Sequence, residues 1–330
     1  MKAKRIYTPR RPDMTKELRP QMANSRTSRI EAEQRLDQRM PPAPAASSYS
    51  GAEGDTMTLT GHHNSNDRTI AVAPSPSPAV ERSSVTIPQY SRRAIFAIWA
   101  AAALPMAALA WIVAPHMASS SHASNALVRA LLVCLTAGLV WQFVLVVALV
   151  WFEQRSLRWT TLRDALWLRA PRNPKTGKRG GKMWWIVLPL VVALAAEELI
   201  PTFAQPANRD FGTFIGSTAG HAFMHGAWGW FALILVMMTF NTVLGEELLF
   251  RGFLLPRMNG AFGDRDWVAN GVLFAGYHMH EPWVIIPSVI VDTFVLAGAS
   301  KRYRSAWVGI AVHSAQSVFF AVLLLALVVK

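Results

Sequence analysis

From residue 94 onward the chain runs in long apolar blocks broken by short charged turns. That is the pattern of a polypeptide crossing a bilayer several times, and not of one soluble core. The blocks fall at residues 94–114, 130–152, 183–200, 226–256, 267–280, 283–299 and 306–329. The expected fold is therefore all-α: a polytopic transmembrane helical bundle of seven spans. An eighth is added if part of the stretch 201–225 re-enters.

Charge supports this reading and sets the boundaries. The 33 basic and 20 acidic side chains leave a net +13, unevenly placed. Residues 1–93 carry 15 basic and 9 acidic groups, giving +6; residues 153–182 carry 9 and 2, giving +7; the rest balance, 9 against 9. A soluble chain this basic would suggest nucleic acid. Here both basic segments flank spans, so topology accounts for them and no nucleic-acid partner is expected. Four parts follow: a disordered basic cytoplasmic tail (1–93), two N-terminal spans (94–152), a basic cytoplasmic loop (153–182) and a core (183–330). The tail holds PPAPAASS and PSPSP tracts and cannot bury enough apolar surface to offset its ordering entropy. A short amphipathic helix fits only residues 30–39, and no cleavable signal is expected. The one cysteine, Cys134, lies mid-span and reads as inert filler.

The stretch NTVLGEELLFRGFLLPRM, residues 241–258, sets Glu246, Glu247 and Arg251 in apolar sequence. Ionisable groups at membrane depth cost several kcal/mol unless paired or hydrated, so they mark function by default. Adjacent residues on a helix point about 100° apart, so the two carboxylates face differently. Glu247 and Arg251 share a face at i,i+4 and can pair, which leaves Glu246 free for chemistry. Further polar groups are His278 (FAGYHMH), Asp292 and His313 (AVHSAQS). At a rise of ~1.5 Å per residue, Glu246 lies about 17 Å from Arg257, His278 about 18 Å from Asp266, and His313 about 14 Å from Arg304. Three helices thus bring one carboxylate and two imidazoles to one level. Such a set suits activation of water, with the glutamate taking a proton. The imidazoles can orient the water, stabilise an oxyanion, or hold a divalent metal such as zinc. Glu246, His278 and His313 are enough ligands for zinc, yet then leave no separate base, so the expected resting site holds metal weakly or not at all. No Ser/Lys dyad, GxSG elbow, HExxH or paired GxGD is present, which argues against serine, zincin-like and aspartyl mechanisms.

These motifs carry a resemblance. EELLFR (246–251) fits EExxxR, FAGYH (274–278) fits FxxxH, and a third His follows in RSAWVGIAVH (304–313). In that order the chain resembles the CPBP family of intramembrane proteases, which includes CAAX prenyl proteases and relatives linked to bacteriocin processing or immunity. Roughly residues 184–329 are covered. The resemblance implies a metalloprotease-classified intramembrane endopeptidase of the bacterial inner membrane. Its partners would be the bilayer and a prenylated or otherwise membrane-associated peptide. By position it assigns the general base to Glu246, the two histidines to His278 and His313, and the motif phenylalanine to Phe274. Arg251 becomes a clamp on Glu247. One position departs from the pattern: where the family has Asn or Asp four residues after the last His, this chain has Ser317, beside Gln316. Serine donates one hydrogen bond from a shorter arm and is a weaker oxyanion donor.

Other polar groups read as structural. Asp292 is expected to pair with a Ser or Trp. His280 is expected on nearly the opposite helical face from His278, at the water interface. Glu197 and Glu198 lack a following Arg and sit at the outer end of their span, and His221/His225 lack the Glu of HExxH. Two other functions fit the same residues: a non-catalytic immunity or scaffold protein, favoured by Ser317, and a proton-coupled transporter using the buried carboxylates.

Overall fold

The computed structural model describes residues 85–202, 206 and 208–330. Of the tail read at 1–93, residues 1–84 lie outside the described residues, as does the helix read at 30–39. The described residues are overwhelmingly helical, with no strand and one isolated antiparallel bridge, Arg172 to Arg179. The fold is all-α.

The chain passes through α1 (Arg92–Ser119), α2 (Ala126–Gln154), a short α3 (Trp159–Ala165), α4 (Val187–Ala195), α5 (Trp228–Arg257), α6 (Asp266–Tyr277), α7 (Pro282–Tyr303) and α8 (Ala306–Val329). Five of these, α1, α2, α5, α7 and α8, are long and apolar enough to cross a membrane. The protein is an integral membrane protein. The other two expected spans take different forms. The stretch 183–200 divides into 3₁₀ turns at Gly181–Ile186 and Ala196–Leu199 around the nine-residue α4. With 12 residues, α6 reaches only ~18 Å against a hydrocarbon core of ~30 Å, and it ends in a 3₁₀ turn at His278–His280. A helix that stops at mid-depth presents its last side chains inside the protein.

The bundle is built around the second half of α5. Every residue from Gly245 to Met258 is buried. A helix without an exposed face has to be enclosed on all sides. Here α2, α6, α7 and α8 enclose it. By contrast, Val318, Phe319 and Val322 of α8 are exposed, as a bilayer-facing surface requires. The helices approach closely through small residues: a Cβ at Gly271 of α6 would fall 2.5 Å from Thr293 Cα of α7.

The basic end of the bundle is fastened by a buried ion pair. Arg257, fully enclosed at the end of α5, forks onto Glu153 of α2 at 2.8 and 2.6 Å. It also donates to the Ala165 and Phe253 carbonyls at 3.1 and 2.7 Å. Tyr90 joins the pair through its hydroxyl, bonded to Glu153, and its N–H, 2.9 Å from the Arg257 carbonyl. The basic loop docks on the start of α8, where Ala306 N–H donates to Trp167 O at 3.0 Å.

Candidate active site

Glu247 is the centre of the buried polar cluster. Its Oε1 lies 3.3 Å from Arg251 Nη1, one helical turn on, and 3.1 Å from His313 Nδ1 on α8. Glu247 and Arg251 are wholly buried. The contact with α8 depends on Gly309, where a Cβ would overlap Glu247 Oε2. Arg251 also stacks over the Phe274 ring, its Cζ 3.9 Å from the centroid. Phe274 in turn meets the His278 ring edge-on at 4.8 Å and the His313 ring at 6.4 Å. The phenylalanine of FxxxH is thus the platform on which the cation and both imidazoles rest. His278 Nδ1 lies 3.0 Å from the Phe274 carbonyl. A carbonyl only accepts, so Nδ1 carries the proton and Nε2 presents the lone pair.

Glu246 faces another way. α5 is wound into wide π turns at Phe240–Gly245 and Leu248–Leu254, on either side of the glutamate pair. In a π turn residues five apart are neighbours, which brings Asn241 under Glu246. With its amide nitrogen turned to the carboxylate, Asn241 donates to both oxygens at 2.7 and 2.8 Å. Tyr277, at the end of α6, also hydrogen-bonds Glu246 and accepts from Gln142 of α2 at 2.6 Å. The face argument from sequence holds for Glu247 and Arg251. It missed Asn241, Tyr277 and Gln142. A glutamine within the apolar run of α2 was the available signal.

A cavity of about 580 Å³ opens beside this cluster. Phe274, His278, Asp292 and His313 form its wall, while Glu246 and Glu247 are not among its lining residues. Gln316 lines it; Ser317 does not. Asp292 accepts from Ser288 Oγ at 2.6 Å, the structural partnership expected of it, and also borders the cavity. One expectation needs correcting. His280 is buried, and its ring stacks beside that of His278 at 5.5 Å and 24°. The 3₁₀ turn rotates the chain by about 120° per residue, so the two rings do not oppose each other as on an α-helix. Glu197 and Glu198 line the same cavity as the two site histidines, because the cavity reaches the end of the stretch that follows α4. His221 and His225 are both exposed.

Residues 227–319 match the family model described as type II CAAX prenyl endopeptidase Rce1-like. This bears out the CPBP resemblance. No curated protein and no solved structure matches the chain. The Rce1-like segment spans Glu246, Glu247, Arg251, Phe274, His278, His313 and Ser317, and the match points to CAAX-type intramembrane protease activity. Gln142, Glu197 and Glu198 lie outside it.

Among the described residues no three His, Cys, Asp or Glu side chains are grouped to hold an ion. Glu247 Oε1 is engaged by Arg251 and His313, and the Arg251 guanidinium would repel a cation at that point, while Glu246 is turned to Asn241 and Tyr277 and the two imidazoles keep only Nε2 for a ligand.

Proposed function

We propose that this protein is an intramembrane endopeptidase that hydrolyses a peptide bond in a membrane-associated or prenylated substrate. The observation that carries the reading is the meeting of three separated motifs, EExxxR, FxxxH and the last His, on one Phe274 platform within the matched segment. In the proposed reaction a water held at the histidine edges gives a proton to Glu246 as its oxygen attacks the scissile carbonyl. The imidazole N–H groups of His278 and His313 stay tied to Phe274 O and Glu247, so their orientation is set before substrate arrives. Glu246 then returns the proton to the departing amine. Asn241 and Tyr277 hold the carboxylate in place throughout, and Gln316 is the amide nearest to the role of the missing family asparagine. The proposed setting is a bacterial inner membrane with the basic end in the cytoplasm.

A second reading has its own support. Neither Glu246 nor Ser317 lines the cavity, as a non-catalytic immunity or scaffold protein would allow. A cleavage assay on purified full-length protein, with a panel of prenylated and leader peptides, separates the two. The peptidase reading expects cleavage that Glu246→Gln lowers by about a hundredfold or more, the usual worth of a general base. Equal turnover by wild type and variant would remove Glu246 as the base. Silence from a folded wild type across the panel would favour the binding protein.

A further inference from the structure

The loop between α2 and α4 is more than a scatter of positive charge. Within it, residues 171–180 fold into a closed turn. Asn173 N–H donates to Lys178 O at 2.8 Å and Gly180 N–H to Pro171 O at 2.9 Å. The Asn173 side chain accepts from the N–H groups of Lys175 and Thr176 at 2.9 and 3.1 Å. Gly177 closes the turn at φ +72°, a conformation that suits glycine. This turn is pinned to the corner between α7 and α8. Arg172 N–H donates to Tyr303 O at 2.8 Å, and Arg179 Nη1 reaches Ala170 O at 2.9 Å and Arg304 O at 3.5 Å. Ser305 Oγ donates to Arg169 O at 2.6 Å. Two pieces of chain, the loop 169–180 and the corner 303–305, distant in sequence, thereby gather Arg169, Arg172, Arg179 and Arg304 at one place.

Gathering four guanidiniums is unfavourable unless something negative offsets them. Asp164 pairs with Arg169 at 2.5 Å but also serves Arg163 at 3.0 Å. Burial, and then the charges of Arg169, Arg172 and Arg304, lower the Arg179 pKa, with Asp164 opposing. A rule that puts positive charge on one side of a membrane needs only the count, and Arg155, Arg158 and Lys182 would satisfy it spread out. Backbone hydrogen bonds that force convergence point to an anion. Planar guanidiniums match phosphate oxygens in pairs. Trp159, Trp184 and Trp185 stand exposed on either side of the turn, and tryptophan belongs at headgroup level.

We propose that the corner formed by Arg169, Arg172, Arg179 and Arg304 binds the phosphate of an anionic lipid headgroup. The site is independent of the peptidase reading. Its ligand would fasten the start of α8, nine residues before His313 in the case of Arg304.

The test is native mass spectrometry of the full chain in detergent, titrated with phosphatidylglycerol or phosphatidylcholine. Phosphatidylglycerol is expected to bind in preference. The Arg172→Gln/Arg179→Gln protein should lose roughly tenfold or more in affinity for it, since each basic group at such a surface counts substantially. The control pair, Arg155→Gln/Arg158→Gln, removes the same charge outside the corner and should stay within about twofold of wild type. Equal losses from the two pairs would reduce the effect to net charge and overturn the site. So would equal binding of the two lipids. Displacement of the lipid by inorganic phosphate at equal concentration would reassign the corner to a soluble anion. If the Gln pair fails to fold, Arg172→Lys/Arg179→Lys keeps the charge but loses the paired donors, and undiminished lipid preference in that protein would likewise overturn the proposal.

Discussion

Substituting Gly309 by alanine tests the tightest joint in the site. Gly309 lies on α8, four residues before His313. A methyl group there would overlap Glu247 Oε2 and stand 3.0 Å from Ser300 Oγ and 3.4 Å from Arg251 Cγ. Two responses are available. α8 can move away as a unit, an overpacking that costs ~1–3 kcal/mol. Alternatively Glu247 can swing off Arg251 and His313, leaving a buried guanidinium unpaired at ~3–5 kcal/mol. The first is the smaller, so Gly309→Ala should destabilise by ~1–3 kcal/mol. At ~2–4 °C per kcal/mol for a domain of this size, the melting temperature should fall by roughly 2–12 °C. The assay is thermal unfolding of the purified protein in detergent. Gly229→Ala is the matched control: nothing lies within 4 Å of its added Cβ, and alanine is favoured over glycine in a helix by ~0.5–1 kcal/mol. Gly309→Ala melting at or above Gly229→Ala would refute the close approach of α8 to Glu247.

Two further predictions concern the ion pair at the basic end of the bundle and a carboxyl group on the cavity wall. Breaking the Arg257–Glu153 fork by Glu153→Gln should cost ~3–5 kcal/mol in unfolding experiments, because it strands the fully buried Arg257, and Arg257→Met should cost less, because Glu153 is partly exposed and keeps Tyr90. The double substitution should cost clearly less than the sum, and full additivity would show that the pair is not coupled. Glu281, at the turn between α6 and α7, has its pKa raised to about 7, by burial first and then by the charge of Asp210. Between its ordinary value and about 7, the folded state holds a proton that the unfolded state has lost, so stability falls as pH rises through that window. Glu281→Gln removes the penalty, so its melting temperature relative to wild type should climb from pH 4.5 to about 7 and stay level above. A difference constant across that range would contradict the shift.

What the sequence made legible was whatever depends on near neighbours along a single helix. The apolar blocks marked the crossing helices, and i,i+4 spacing placed Glu247 on Arg251. Equal depth brought the last His to the glutamate pair, though its partner is Glu247 and not Glu246. Where the pitch changes, the reading failed. π turns put Asn241 beneath Glu246, and a 3₁₀ turn laid His280 beside His278. Contacts between helices were also out of reach. Nothing local in the sequence joins Gln142 to Tyr277 across 135 positions, or Arg257 to Glu153 across 104. Glu197 and Glu198 were placed by depth alone, which cannot show that a cavity extends to them.

The adjacent glutamates differ in the kind of partner each one has. Glu247 is held by side chains that carry or can carry positive charge, Arg251 and His313, and its second oxygen is closed in by Gly309. A carboxylate so engaged is a structural joint between α5 and α8, and losing its charge would strand the buried guanidinium. Glu246 is held by an amide and a phenol, both neutral, which fix its direction without neutralising it. Of the two, only Glu246 can change protonation without dismantling an ion pair. Its burial then gives the histidines their place in the proposed reaction. Phe274, His278 and His313 line the cavity beside the cluster that buries Glu246, so in the proposed reaction the water reaches Glu246 past the imidazole edges. Groups that a water must pass are also the groups that can orient it. The fixed Nδ1 contacts of both rings serve that purpose, since they leave each Nε2 available to the water.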